Sequence, residues 1–217
     1  MKNIQLIIFD FDGTLCDTKT RIVETLQNAQ AELGFPVSPD DACAATIGLP
    51  LEGCFKQLLP DLTDEQAVVC CATYRRLFAE ANKVSFPSLF PNVMETIQSI
   101  AARGIWMAIA SSRAHASIAL FCDRYELNPY IELIVGSDDV KNPKPNPDPV
   151  LLILEKTGIT AQNTLVVGDM TFDILMGSSA GAHTCGVTFG NGTREELTGA
   201  GAQHIIDRIT DLPGILD

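Results

Sequence analysis

The sequence has little positive charge, no long apolar segment and no paired cysteine motif. Its 15 lysines and arginines stand against 27 acidic residues, which gives a net charge of −12. Because no basic cluster could neutralise a phosphate backbone, nucleic-acid binding is disfavoured. No apolar run approaches the roughly 20 residues of a membrane helix, and the short apolar N-terminus lacks a signal-peptide cleavage site. We therefore expect a cytoplasmic protein without a membrane partner.

The cysteines and histidines do not form a metal-binding or disulfide pattern. The seven cysteines are odd in number, and none belongs to a Cys-x-x-Cys pair. We expect them to be buried small hydrophobic residues in a reducing compartment. With 217 residues, 46% of them apolar, the chain is long enough for one good-sized core and a small second unit.

Short apolar runs alternate with helical patterns along most of the chain. Ile4–Phe9 ends abruptly in Asp10, as is typical of a strand buried on both faces of a parallel sheet. Further strands are predicted at Ile105–Ala110, Ile131–Val135, Thr164–Val167, Thr184–Val187 and Gln203–Ile206, and helices at Pro91–Ala102, Ala114–Tyr125, Asp148–Thr157 and Phe172–Ser179. This alternation predicts an α/β fold with a doubly wound, Rossmann-like parallel sheet.

The stretch 17–85 breaks the alternation, because it contains helical patterns only. The predicted helices are Thr20–Leu33, Pro39–Ala45, Leu51–Leu59 and Asp64–Asn82, separated by glycine and proline. We interpret 17–85 as an inserted all-helical cap domain. The α/β core then comprises 1–16 and 86–217, with hinges near Cys16–Thr18 and Ser85–Ser88.

Polar residues follow several of the predicted strands at their carboxyl ends. In an open parallel sheet these ends share one rim, where ligands bind. The rim residues are Asp10, Asp12 and Gly13 after the first strand, Ser111 and Ser112 after the second, Asp169 and Asp173 after the fourth, and Lys144 in the loop after the third. This convergence is stronger evidence for a site than any single motif.

Asp10 and Asp12 form an Asp-x-Asp pair that permits two interpretations. Asp-Gly alone is an ordinary turn signal. Two carboxylates at alternate positions can also divide the work of phosphoryl transfer, because one attacks phosphorus while the other handles the proton of the leaving group and of water. Gly13 would let the backbone approach an anion closely.

The four acids of the predicted rim would repel one another. Asp169 and Asp173 could serve only as helix N-terminal acids. Together with Asp10 and Asp12, however, they would crowd one place, where two charges about 4 Å apart repel by roughly 4 kcal/mol at an effective dielectric constant near 20. A hard divalent cation with oxygen ligands would relieve this repulsion, and Mg²⁺ suits a phosphate substrate.

Lys144 and the two serines can be explained with or without a phosphate. Lys144 lies among prolines 143, 145, 147 and 149, so it is either a surface lysine or a rigidly held cation over a phosphoryl group. Ser111 and Ser112 could cap the helix that follows, or could bind phosphate oxygens at its N-terminus.

Four segments together resemble the haloacid dehalogenase-like superfamily. LIIFDFDGTL is similar to its first motif, IASS to its second, NPKPNPDP to its third and VVGDMTFD to its fourth, in the family's order. The helical insert resembles the cap of the phosphoglycolate phosphatase-like branch. The resemblance implies a hydrolase acting on phosphate esters, with a small phosphorylated metabolite as its partner.

The resemblance also implies a role for each residue. Asp10 would be the nucleophile that forms an aspartyl-phosphate, and Asp12 the acid and base. Ser111 and Lys144 would hold the phosphoryl oxygens, helped by Gly13 and Ser112. Mg²⁺ would be bound by Asp10, by the backbone carbonyl of Asp12 and by Asp169, and by Asp173 either directly or through water. Dehalogenases of this group lack the second acid, so Asp12 favours phosphatase chemistry.

Other reactions of the superfamily remain as alternatives. A phosphomutase related to β-phosphoglucomutase would carry a histidine at the position of Ile22. Phosphonate cleavage would need a Schiff-base lysine such as Lys56 or Lys83. Inorganic pyrophosphate hydrolysis stays open, since relatives in this branch act on pyrophosphate. A non-catalytic scaffold would be expected to lack one of the catalytic residues, and none is missing. Among phosphomonoesters, phosphoglycolate and sugar phosphates are the expected substrates.

Overall fold

The computed structural model describes residues 3–216 and contains one six-stranded parallel sheet. Its strand order is β3-β2-β1-β4-β5-β6, so the chain builds outward from β1 first on one side and then on the other. The strands are β1 Leu6–Phe9, β2 Trp106–Ala110, β3 Leu133–Val135, β4 Thr164–Gly168, β5 His183–Val187 and β6 His204–Ile206. The predicted doubly wound fold is confirmed, and the strand predicted at Gln203–Ile206 forms β6 at one edge of the sheet. Met1, Lys2 and Asp217, at the ends of the predicted core, lie outside the described residues.

Alternate residues of the central strand face opposite sides of the sheet. Ile7 and Phe9 belong to one buried cluster, while Leu6 and Ile8 belong to the other. Both faces are covered by helices, which explains the continuous apolar run of β1. The helices of the α/β part are α5 Val93–Ala101, α6 His115–Arg124, α7 Asp148–Thr157, α8 Thr171–Ser179, α9 Arg194–Gly199 and α10 Leu212–Ile215. Trp106 is the exception in β2, because it is 46% exposed at the start of a strand expected to be buried throughout.

Four helices lie between β1 and α5, and no strand interrupts them. They are α1 Lys19–Glu32, α2 Asp40–Ala44, α3 Leu51–Leu58 and α4 Asp64–Val84. We call Lys19–Val84 the helical insert. One hydrophobic cluster contains both core residues, such as Phe121, and insert residues, such as Phe78. The insert therefore packs against α6, where the ring centroids of Phe78 and Phe121 lie 6.5 Å apart.

The two connections to the helical insert run side by side. Cys16 and Leu89 form an antiparallel bridge, and the amide of Asp17 donates to the carbonyl of Ser88 at 2.8 Å. The chain thus leaves and re-enters the α/β part at one place. These connections lie where the sequence analysis places the two hinges, and their role as hinges stays a prediction.

The cysteine prediction agrees with the structure. All seven cysteines are buried and free. Burial raises the pKa of several of their thiols, that of Cys54 to about 11.

Within residues 3–216, no helix has the length and apolar character needed to cross a membrane.

Helix α4 begins with a reciprocal capping box. The Thr63 hydroxyl accepts from the amide of Gln66 at 3.3 Å, and the Gln66 side chain accepts from the amide of Thr63 at 3.0 Å. Replacing Thr63 with Ala should lower the free energy of unfolding by about 1 kcal/mol, because one helix amide loses its acceptor. Urea denaturation measures this loss. Thr63→Ser keeps the acceptor and should stay near wild type; equal losses in both variants would contradict the capping role.

Candidate active site

The register of the sheet brings the first and fourth motifs together. Phe9 pairs with Val167 across β1 and β4, and the amide of Asp10 donates to the carbonyl of Val167 at 2.8 Å. Asp10 and Asp169 therefore leave neighbouring strands at the same rim. This is also where the strand order reverses, the usual ligand position in open α/β sheets.

Three buried carboxylates meet at this rim. Asp10, Asp169 and Asp173 each offer an oxygen that lies within 4.8 Å of the others. Asp173 is held in the first turn of α8, where its side chain accepts from the amide of Met170 at 3.0 Å. The cluster matches the predicted acids except that the side chain of Asp12 lies apart from it.

Lys144 reaches into the carboxylate cluster. Its Nζ lies 2.5 Å from Asp10 Oδ1 and 2.6 Å from Asp173 Oδ1, and its side chain is 1% exposed. It is therefore a buried cation rather than a surface lysine. Burial lowers the pKa of Lys144, but Asp10 and Asp173 outweigh burial and hold that pKa above its usual value.

The charge of this cluster is not balanced by Lys144. Three carboxylates and one ammonium group carry a net charge of −2 when all are ionised. Burial raises the pKa of Asp10 well above its ordinary value, with Lys144 opposing the rise. Burial and then Asp173 raise the pKa of Asp169 to about 7. Oxygen ligands that carry excess negative charge in a buried site suit a divalent cation.

Gly13 and Asn191 shape the surroundings of Asp169. Gly13 has φ +88°, and a Cβ there would lie 2.1 Å from Asp169 Oδ2, so only glycine fits. The amide and side chain of Asn191 both donate to the same oxygen, at 2.7 and 2.9 Å. No pattern in the sequence around Asn191 indicates this contact with Asp169.

Asp12 has different partners from Asp10, although only one residue separates them. Arg113 Nε donates to Asp12 Oδ2 at 3.1 Å, and Arg113 Nη2 donates to Oδ1 at 2.6 Å. The Thr18 hydroxyl also donates to Oδ1 at 2.6 Å. The sequence analysis did not identify Arg113 as a site residue. One feature of the sequence could have indicated Arg113: it is a cation directly after Ser111 and Ser112 in a chain with few cations.

The two serines lie at the rim in different settings. Ser111 is buried, and its hydroxyl accepts from the amide of Arg113 at 3.3 Å. The hydroxyl of Ser112 donates to the carbonyl of Gly48 in the helical insert at 2.5 Å. Ser112 thus joins the α/β part to the insert in this structure.

The carboxylate cluster and the sequence motifs around it agree with a match to a known family of hydrolases. Residues 7–187 match the haloacid dehalogenase-like hydrolase family, so the chain belongs to that family. The resemblance read from the four motifs is confirmed.

Individual relatives agree with the family assignment. The chain is 37% identical to the "Probable phosphatase IndB" of Dickeya dadantii (strain 3937), over 96% of this chain and 92% of that protein. It is 28% identical to the phosphoglycolate phosphatase of Escherichia coli (strain K12), over 97% and 92%. The solved structure of a "Putative haloacid dehalogenase-like hydrolase" from Bacteroides fragilis superposes with a TM-score of 0.90 at 27% identity, covering 96% of this chain and 99% of that one.

The electrostatics of Asp169 predict a measurable change in stability. In the metal-free protein its raised pKa means that the folded state holds a proton that the unfolded state releases above its ordinary pKa of 3.8. The stability of the wild type should therefore fall as pH rises towards and through about 7. The side chain of Asp169→Asn cannot ionise. The free energy of unfolding of this variant, relative to that of the wild type, should therefore increase from pH 5 to pH 8, which lie on either side of that pKa.

Urea denaturation in excess chelator measures this difference. In a second measurement, after the chelator has been removed, added Mg²⁺ should raise the unfolding temperature of the wild type and leave that of Asp169→Asn unchanged. A constant difference across pH, or an equal Mg²⁺ shift in both proteins, would contradict the prediction.

Proposed function

We propose that this hydrolase is a Mg²⁺-dependent phosphatase that cleaves a small phosphomonoester through an aspartyl-phosphate on Asp10. The observation that carries the proposal is that Asp10 contacts Lys144 and lies within 4.8 Å of the acids Asp169 and Asp173. Relatives that are named phosphatases support phosphate esters as the substrate class.

In the first step, a carboxylate oxygen of Asp10 attacks phosphorus and the bond to the leaving oxygen breaks. Asp12 donates a proton to that oxygen, so that the alcohol leaves uncharged. In the second step, Asp12 takes a proton from water, which attacks phosphorus. Inorganic phosphate is released and the carboxylate of Asp10 is restored.

The remaining rim residues bind and orient the phosphoryl group. Lys144 offers a positive charge beside Asp10, and Ser111 offers a buried hydroxyl on the same rim. Gly13 and Ser112 would approach the phosphoryl oxygens through backbone amides and a hydroxyl. Mg²⁺, held by Asp10, the carbonyl of Asp12, Asp169 and Asp173, would neutralise the charge of these groups and polarise the phosphoryl oxygens.

The helical insert is proposed to act as a cap over this rim, with the domain spanning 17–85 and the core spanning 1–16 and 86–217. Its contacts with Ser112 and Arg113 support this role. Closure would exclude bulk water from the aspartyl-phosphate, and opening would release the products. The two connecting segments, which pair at Cys16 and Leu89, suit a hinge because they can bend together.

The substrate is proposed to be a phosphoglycolate-like ester or a sugar phosphate. The first class is the one named for the Escherichia coli relative. Inorganic pyrophosphate is the alternative that shares the same chemistry at Asp10. A mutase is disfavoured because Ile22 is buried and apolar where that branch carries a histidine.

Replacing Asp10 with Asn should abolish covalent catalysis, because the amide is a poor nucleophile. We expect kcat to fall on the order of 10⁴-fold or more. Rapid quenching with ³²P-labelled substrate should trap a phosphoenzyme in the wild type and none in the variant. Asp61→Asn changes an exposed acid outside the site and should behave as wild type. Substantial turnover by Asp10→Asn would remove the covalent mechanism.

Removal of divalent metal should abolish turnover reversibly, since the buried acids then repel the phosphate dianion. Phosphate release from a chromogenic ester is measured after dialysis against chelator and again after Mg²⁺ is restored. Full activity in excess chelator would exclude the proposed role of Mg²⁺.

A further inference from the structure

The two carboxylate oxygens of Asp169 have different surroundings. Oδ2 accepts from the backbone amide of Asn191 at 2.7 Å and from its side-chain amide at 2.9 Å. Within residues 3–216, Oδ1 accepts a single hydrogen bond, from the Thr14 hydroxyl at 3.4 Å. A carboxylate oxygen has about two acceptor sites. Asn191 therefore occupies both sites of Oδ2, while Oδ1 keeps room for a cation.

The loop that carries Asn191 is fastened on both sides of this residue. The amide of Gly192 donates to the carbonyl of Asp169 at 3.2 Å, and a Cβ on Gly192 would lie 2.2 Å from that oxygen. On the other side of Asn191, the ring centroids of Phe189 and Phe90 lie 5.0 Å apart in an edge-to-face contact. The two donors of Asn191 are thus held in a fixed direction towards Asp169.

Both ends of this loop are also tied to one residue after β6. The Thr188 hydroxyl donates to Asp207 Oδ1 at 2.6 Å, and Arg194 Nη2 donates to the same oxygen at 2.5 Å. Asp207 is exposed, so these contacts add little to the free energy of unfolding. They do set the distance between the two ends of the loop, and this restricts the movement of Asn191.

We propose that Asn191 is a positioning residue for the metal ligand Asp169, because it fixes Oδ2 and thereby presents Oδ1 to Mg²⁺. The inference rests on the proposed Mg²⁺ site and adds to it a residue from outside the four motifs. Hydrogen-bond partners of a metal-ligating side chain hold that side chain in its binding orientation, and their loss typically costs about 10- to 100-fold in metal affinity. Without the side chain of Asn191, Oδ2 keeps one backbone donor and the carboxylate can turn away from the cation.

The metal affinity of the substrate-free protein tests this role. Calorimetric titration with Mg²⁺ should give a Kd for Asn191→Ala on the order of 10-fold above that of the wild type. Asn191→Leu nearly keeps the shape of the side chain but has no donor, so its Kd should rise as much. Asn191→Ser keeps a shorter donor and should lose less affinity; it also serves if either of the other variants folds poorly.

A second asparagine provides a matched control. Asn128 Nδ2 donates to Asp123 Oδ1 at 2.5 Å, on the exposed surface beyond the end of α6. Asn128→Ala removes the same kind of hydrogen bond away from the carboxylate cluster and should keep the wild-type Kd for Mg²⁺.

Turnover separates positioning from a general loss of structure. In Asn191→Ala, the Mg²⁺ concentration that gives half-maximal turnover should rise by about the same factor as Kd, and by more than kcat falls. A variant that is merely less stable would lose active protein and would leave that concentration unchanged.

The outcomes distinguish this role from the proposed function. A wild-type Kd in both Asn191→Ala and Asn191→Leu would overturn the positioning role and leave the phosphatase intact. A loss of affinity in the alanine variant that the leucine variant does not share would also overturn it, because packing rather than hydrogen bonding would then explain the loss. Wild type that binds no Mg²⁺ would overturn the proposed metal site and this role together.

Discussion

The structure depends on holding several carboxylates close together in a buried position. Asp10, Asp169 and Asp173 are buried within reach of one another, and Lys144 supplies the only cation in direct contact with them in the part of the chain that is described. Each additional acid raises the cost of ionising the others. The parallel sheet makes this arrangement possible, because adjacent strands end side by side and carry their acids to one rim. The rim thus carries electrostatic repulsion that a divalent cation would relieve.

The fold could be predicted from the sequence because burial on both faces leaves continuous apolar runs. Where the boundaries differ, the reason lies in strand pairing. The predicted first strand begins at Ile4, but pairing with both neighbours begins at Leu6, opposite Trp106 and Thr164. Likewise, the run from Ile131 yields a strand only from Leu133, because β3 pairs with β2 alone.

The site was predictable only in part, since contacts between distant residues leave no local pattern. The acids and Lys144 follow strands and occur in recognisable motifs. Arg113, in contrast, meets Asp12 across 101 positions of sequence, and its cation lies against Phe78 from the helical insert. Neither periodicity nor composition indicates that meeting. It follows from the way in which α4 and α6 pack over the rim.

Asp10 and Asp12 show how one short motif can supply two kinds of carboxyl group. Asp10 lies among other acids and a lysine at the bottom of the rim, where a cation and a phosphoryl group would be bound. Asp12 is held instead by the guanidinium of Arg113, which follows β2, and by the hydroxyl of Thr18, just before the helical insert. In the mechanism that we propose, this difference in environment would separate the nucleophile from the proton carrier, as pairs of acids in other active sites are separated. Because Arg113 contacts both Asp12 and Phe78 of the helical insert, the surroundings of Asp12 depend on how the insert packs against the α/β part.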